Sequence, residues 1–423
     1  MYFSEIMIKI KYIPILLFTL VCFVYVNAQQ NNSALIDSLL KSNPTAFKNI
    51  TDNYRKYKIQ IIYTRIDRDK QNKPHFTNHF YYYDSTNYFY CASMVKLPCS
   101  ILALEKVNNL KKYDVSKESC MLTDSSNSCQ QRCLTDTSSE SKLPSVSNYI
   151  KKMLLVSDNH AFGRIFEFLG VDFIHERLAE LGFPKIRIVH RFDGGCKGEA
   201  NVVTNPIIFK DLNQKMLYQQ EQLYAKKKYT YPYGTAQVGI AYVDASGKKV
   251  NKPKDFSTYN YMSLYDIHKV LQQLVFHEQL NEKDKYKITT DDRLFLMKYL
   301  SLYPKESSVP TYDPKKFHDS YKKYFVFGDS KKPIIDTNIR INNIVGQSYG
   351  FMADCAYIVD FNTKSEFMLS AVIYSNEKDI INTGKYEYNS IAMPYLSELG
   401  RTFVKYEKAR KKKTLPDLNQ LPH

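Results

Sequence analysis

After Val26 the chain has no apolar run long enough to cross a bilayer, and it carries no tryptophan, no internal repeat and no low-complexity tract. With 14 glycines and 16 prolines among 423 residues it is neither collagen-like nor a disordered linker protein. No histidine lies near the cysteine group Cys120, Cys129 and Cys133, so their spacing does not read as a zinc site. Acidic residues are in short supply: 43 Asp and Glu face 59 Lys and Arg, a formal net charge of +16. That balance predicts affinity for an anionic surface such as an envelope polymer.

What is present is a globular composition, 44% hydrophobic and 24% charged, at a length that can bury a large core. The first residues stand apart from the fold. Lys9 and Lys11 precede an apolar run from Ile13 to Val26, and Val26-Asn27-Ala28 is a small-residue cleavage site. The pattern predicts a signal peptide over 1–28, a mature chain starting near Gln29, and a periplasmic or secreted protein. Export makes nucleic acid an improbable partner for the basic run Arg410-Lys411-Lys412-Lys413, which reads as the solvated end of a helix and a basic tail over 411–423. Seven cysteines remain after removal of Cys22, an odd number that leaves at least one free thiol or an intermolecular bond. A local disulfide among Cys120, Cys129 and Cys133 is plausible, and Cys91 and Cys99 read as small buried residues.

Residues 29–50 read as an N-terminal helix or leader, Lys56–Asp67 as a strand and His75–Tyr83 as its hairpin partner. Helical patterns follow near 145–156, 158–169, 171–181, 206–224, 263–282 and 289–302, with a possible small hairpin in 226–260. Residues 111–148 read as a mostly irregular connection and 187–205 as a loop. Arg340–Gly346, Met352–Phe361 and Glu366–Tyr374 read as three strands and 387–410 as a closing helix. Strands at both ends with helices between predict an α/β (α+β) fold, one antiparallel sheet built from both chain ends around an inserted all-helical region at about 111–335.

One stretch organises the rest. In Tyr90-Cys91-Ala92-Ser93-Met94-Val95-Lys96-Leu97-Pro98 a serine opens a run that is apolar nearly all round, and Lys96 lies one turn on. Backbone N–H groups at a helix start favour developing negative charge, and an amine in apolar surroundings loses its proton readily. Ser93 as nucleophile and Lys96 as its base follow from that placement. The spacing recurs elsewhere, as at Ser38/Lys41, Ser139/Lys142 and Ser246/Lys249, where solvated surface is the plain reading; the Ser93 copy stands out by opening a helix that is apolar nearly all round. Val156-Ser157-Asp158-Asn159 lies between two helical segments, 64 residues after Ser93, and taken alone would be an ordinary helix cap.

Ser-x-x-Lys at 93–96, Ser-Asp-Asn at 157–159 and the segment Gly346-Gln347-Ser348-Tyr349-Gly350-Phe351-Met352-Ala353-Asp354 together resemble the serine β-lactamase and penicillin-binding protein superfamily, class A most closely. The resemblance spans about 50–410 and makes 51–410 one hydrolase domain. It implies Ser93 as the acylated residue, Lys96 as proton acceptor, Ser157 as proton donor to the leaving amine and Asn159 as a hydrogen-bond partner of the substrate amide and Lys96. The oxyanion hole would be the backbone N–H groups of Ser93 and Gln347, with Gly346 and Tyr349 lining the substrate site. Glu199 is the acid it offers for deacylation. The third motif departs: Ile344-Val345-Gly346 stands where the family has Lys-Thr-Gly, and Arg340 is the one nearby cation considered as a substitute.

The resemblance implies an acyl-serine hydrolase needing no metal or organic cofactor, acting on a small-molecule β-lactam or on a peptidoglycan-like peptide or ester as a D-alanyl peptidase or esterase. A non-catalytic envelope-binding protein that has kept the fold is the reading from another class. Intact Ser93, Lys96, Ser157 and Asn159 argue for catalysis.

Overall fold

The computed structural model describes residues 32–419 except 127, 193–195 and 197, together with Leu421; the expected signal peptide over 1–28 lies outside the described residues. Helices α1 (Ala34–Lys41) and α2 (Pro44–Asp52) lead into strands β1 (Gln60–Arg68) and β2 (Pro74–Tyr81). Then come helices α3 (Lys96–Asn109), α4 (Val146–Val156), α5 (Asn159–Leu169), α6 (Val171–Glu180), α7 (Leu264–Val275) and α8 (Thr290–Ser301). Strands β3 (Ile339–Ser348), β4 (Phe351–Asp360) and β5 (Ser365–Tyr374) and helix α9 (Met393–Ala409) close the chain.

The main sheet is antiparallel in the order β3-β4-β5-β1-β2, so β1 pairs with β5 across the whole chain, Tyr63 opposite Leu369. Every residue of β4 and β5 is buried, which requires cover on both faces. The two-residue period of a strand supplies it. Phe351, Cys355 and Val359 join the core made with α3 to α8, while Met352, Ala356 and Ile358 join the core made with α1, α2 and α9. The result is three layers, helices on both sides of one antiparallel sheet.

Several expectations change on contact with the fold. Among the described residues the segment expected as an N-terminal helix or leader is two helices: α1 and α2, separated where Pro44 begins a new helix, place Ile36, Leu40 and Phe47 in the core under α9. The 206–224 segment is strand, with Ile207–Lys210 pairing with Cys120–Thr123 and Met216–Gln220. Ile207 and Phe209 alternate inward and the Asp211 carboxylate accepts from Lys215 N at 2.9 Å to close the hairpin, so period two wins over period 3.6. The inserted region is accordingly not all helical. It also holds the short hairpin Ala241–Val243 and Lys249–Val250.

The described part of the basic tail packs back on the fold. Lys412 Nζ lies 3.4 Å from Glu407, Asn72 bonds the backbone of Leu415 and Asp417, and Leu418 is buried. The expected local disulfide is replaced by Cys129–Cys196, which ties the 124–135 loop to the loop after α6 and leaves Cys120 and Cys133 free and buried.

Candidate active site

Ser93 sits in a 3-10 turn, Ala92–Val95, that runs directly into α3, whose first residue is Lys96. Ala92 has φ +45°, and the turn is pressed against β3 at Gly346, where a Cβ would lie 2.4 Å from Cys91 O and 3.0 Å from Met94 Cγ. Only glycine permits this approach, which sets the Ser93 backbone beside the end of β3. Gln347 follows, exposed, its Oε1 accepting from the Tyr324 hydroxyl at 3.1 Å.

Ser157, Asp158 and Asn159 form the junction of α4 and α5. Ser157 takes the left-handed conformation that ends α4, at φ +61°, with its N–H on Met153 O. Asp158 caps α5, its carboxylate accepting from Ala161 N at 2.8 Å. The plain capping reading thus holds for Asp158, while the sharp turn leaves Ser157 and Asn159 both aimed at one amine.

That amine is Lys96 Nζ, fully buried. It lies 2.9 Å from Ser93 Oγ, 3.0 Å from Ser157 Oγ, 2.5 Å from Ser157 O and 2.7 Å from Asn159 Oδ1. Four oxygens surround a group that as an ammonium has only three protons to give. As a neutral amine it donates two to the carbonyl oxygens of Ser157 and Asn159, which can only accept, and keeps a lone pair for a hydroxyl proton. Burial and the nearby Lys322 charge push its pKa well below the lysine range, against the pull of Asp158. The Phe192 ring lies 5.5 Å away and helps to exclude water.

The remaining expected residues divide. Tyr349, at φ +53° in the turn from β3 to β4, packs edge-on against Tyr90 at 5.0 Å and Phe256 at 5.1 Å, part of an aromatic wall that includes His190 and Tyr259. Arg340 is not at the site. It lies six residues before Gly346, about 20 Å along a strand, bonded to both Glu306 oxygens at 2.9 and 3.0 Å and stacked on Tyr303. Glu199 is exposed in the turn Gly198–Asn201. The buried acid of this region is instead Glu167, held by Arg191 and by Asn205 Nδ2 at 3.0 Å, where it anchors the loop. Ile344 and Val345 are buried in opposite cores, so neither presents a group to a substrate.

Sequence reasoning did not find the cluster behind Lys96. Lys322 and Lys323 are both buried, with Asn343 Nδ2 donating to Lys322 O at 2.6 Å and to Asp354 Oδ1 at 2.9 Å. Nothing in Tyr321-Lys322-Lys323-Tyr324 marks it as other than surface. Among the described residues no group of His, Cys, Asp or Glu is placed to hold a metal ion.

The model of a family described as "Beta-lactamase enzyme family" matches residues 45–290. No curated protein matches the chain. Among solved structures, a β-lactamase from Francisella tularensis is similar at 14% identity, covering 87% of this chain and 99% of its own, with a TM-score of 0.47. A β-lactamase from Sphaerobacter thermophilus is similar at 10% identity over 89% of this chain and 98% of its own, TM-score 0.46. A protein described as PBP-A is similar at 11% identity over 87% and 96%, TM-score 0.44.

Proposed function

The chain belongs to the β-lactamase enzyme family and is a serine hydrolase, and from that premise we propose that it is exported and acts through an acyl-Ser93 intermediate on a β-lactam. The observation that carries this reading is the Lys96 amine, buried, depressed in pKa and 2.9 Å from Ser93 Oγ.

In the proposed sequence Lys96 Nζ takes the Ser93 proton as Oγ bonds to the substrate carbonyl carbon, and the C=O electrons move onto oxygen. The backbone N–H groups of Ser93 and Gln347 are assigned to that oxyanion. As the carbonyl re-forms the C–N bond breaks, and the leaving nitrogen takes the Ser157 hydroxyl proton. Ser157 is resupplied from Lys96, 3.0 Å away. Water then cleaves the ester and returns Ser93.

A second reading, a D-alanyl peptidase or esterase that deacylates slowly, is favoured by one observation: Glu199 is exposed on its turn, and among the described residues the hydrogen-bond partners of the Lys96 amine come from Ser93, Ser157 and Asn159. Export rests on the sequence of residues 1–28. The test is intact mass of the mature protein after brief exposure to a fluorescent penicillin, beside Ser93→Ala. A covalent adduct on the parent alone, or consumption of the lactam by the parent alone, supports acyl-Ser93 chemistry, the first with slow deacylation and the second with fast. Neither adduct nor consumption rejects the β-lactam.

A further inference from the structure

Lys322 is 4% exposed and belongs to no motif, yet its Nζ donates to Leu154 O. Leu154 is in the last turn of α4, whose terminal carbonyls have no partner within the helix. Ser157 N and Asp158 N take Met153 O and Lys152 O, and the Lys322 ammonium takes Leu154 O. A cation at the carboxyl end of a helix is favoured by the helix dipole. The Lys322 backbone is itself fixed: Asn343 on β3 donates to its carbonyl, Phe325 N donates to Asp354 Oδ2 at 3.1 Å, and Lys323 Nζ reaches Leu300 O, Ile341 O and Asn343 Oδ1.

We propose that Lys322 is a positioning residue of this site: it holds the end of α4, and with it Ser157, against the Lys96 amine. As a cation packed behind the site it also disfavours a second positive charge there. The proposal rests on the reading of Ser93 and Lys96 as nucleophile and base. The charged groups facing the pair are Asp158 between α4 and α5, Asp354 on β4, and Lys323 on the Lys322 segment. Burial lowers Lys322 to about 7, against the pull of Asp354.

The test uses the mature full chain with 13C-labelled lysine side chains, as parent, Lys322→Gln, which keeps an N–H donor without charge, and Lys322→Met, which keeps neither. The expected result is a Lys96 titration midpoint that moves to higher pH in both variants. Acylation should fall most in Lys322→Met, by about 10–100-fold, with its acid limb displaced in the same direction. An unchanged Lys96 midpoint in Lys322→Gln overturns the proposal, whatever happens to thermal stability. If Lys322→Met does not fold, Lys322→Gln decides alone. If the parent acylates nothing, the proposed function fails, and the Lys96 midpoint still decides the part played by Lys322.

Discussion

At the residue scale the site is a buried amine among four oxygens, two carbonyl oxygens that only accept and two hydroxyls that can donate to its lone pair. Lys96→Met is expected to slow acylation at least about 100-fold, measured as adduct formation against time. In the parent, acylation should rise with pH, because the deprotonated amine is the base and its pKa lies below the ordinary lysine value of 10.5. A rate that falls as pH rises would count against Lys96. Gly346→Ala tests the backbone contact. Its methyl must displace Cys91 O, 2.4 Å away, at an overpacking cost of about 1–3 kcal/mol. Acylation should fall more than the melting temperature alone accounts for, since the displaced turn carries Ser93.

At the element scale α7 is fastened to the sheet by His268, fully buried between Thr64 Oγ1 on β1 at 2.7 Å and Ser370 Oγ on β5 at 2.8 Å. Burial pulls its pKa from 6.5 to about 3, and His175 is pulled to about 4 in the same way. In the unfolded chain both would bind a proton that the folded state refuses. The unfolded state therefore holds more protons between pH 6.5 and 3, and stability falls as pH falls through that window, by at most about 1.4 kcal/mol per unit for each histidine. Melts at pH 7 and pH 4 should show a smaller acid loss in His268→Gln than in the parent. Equal losses would place the sensitivity elsewhere.

At the scale of the whole molecule, α1 and α2 cover the same face of the sheet as α9 although they lie at the opposite end of the chain. Deleting 32–52 would expose the partners of Ile36, Leu40, Phe47 and Ile50. At about 1.5–3 kcal/mol for each buried side chain the loss matches the whole stability of a typical domain. The truncated protein is expected to lose its cooperative unfolding transition in calorimetry. A melt within a few degrees of the parent would mean that α1 and α2 are dispensable.

The sequence by itself determined what local rules control. The strands 339–374 followed from apolar periodicity and the turn at Asn362–Ser365. Ser93 with Lys96 was read from helical spacing in an apolar run, whereas Ser157 with Asn159 came from the family resemblance, since cap chemistry alone gives an ordinary helix cap. Tertiary structure decided what depends on contacts between distant segments. Ile207 and Phe209 became strand because a hairpin and Cys120–Thr123 were there to pair with. Cys129 bonded Cys196, 67 residues away, in place of a nearer thiol. Arg340 went to Glu306 because six residues of extended strand carry it away from Gly346. Lys322, in a lysine doublet with the pattern of surface, was drawn inside by the free carbonyls at the end of α4, a demand that exists only once α4 is folded against it.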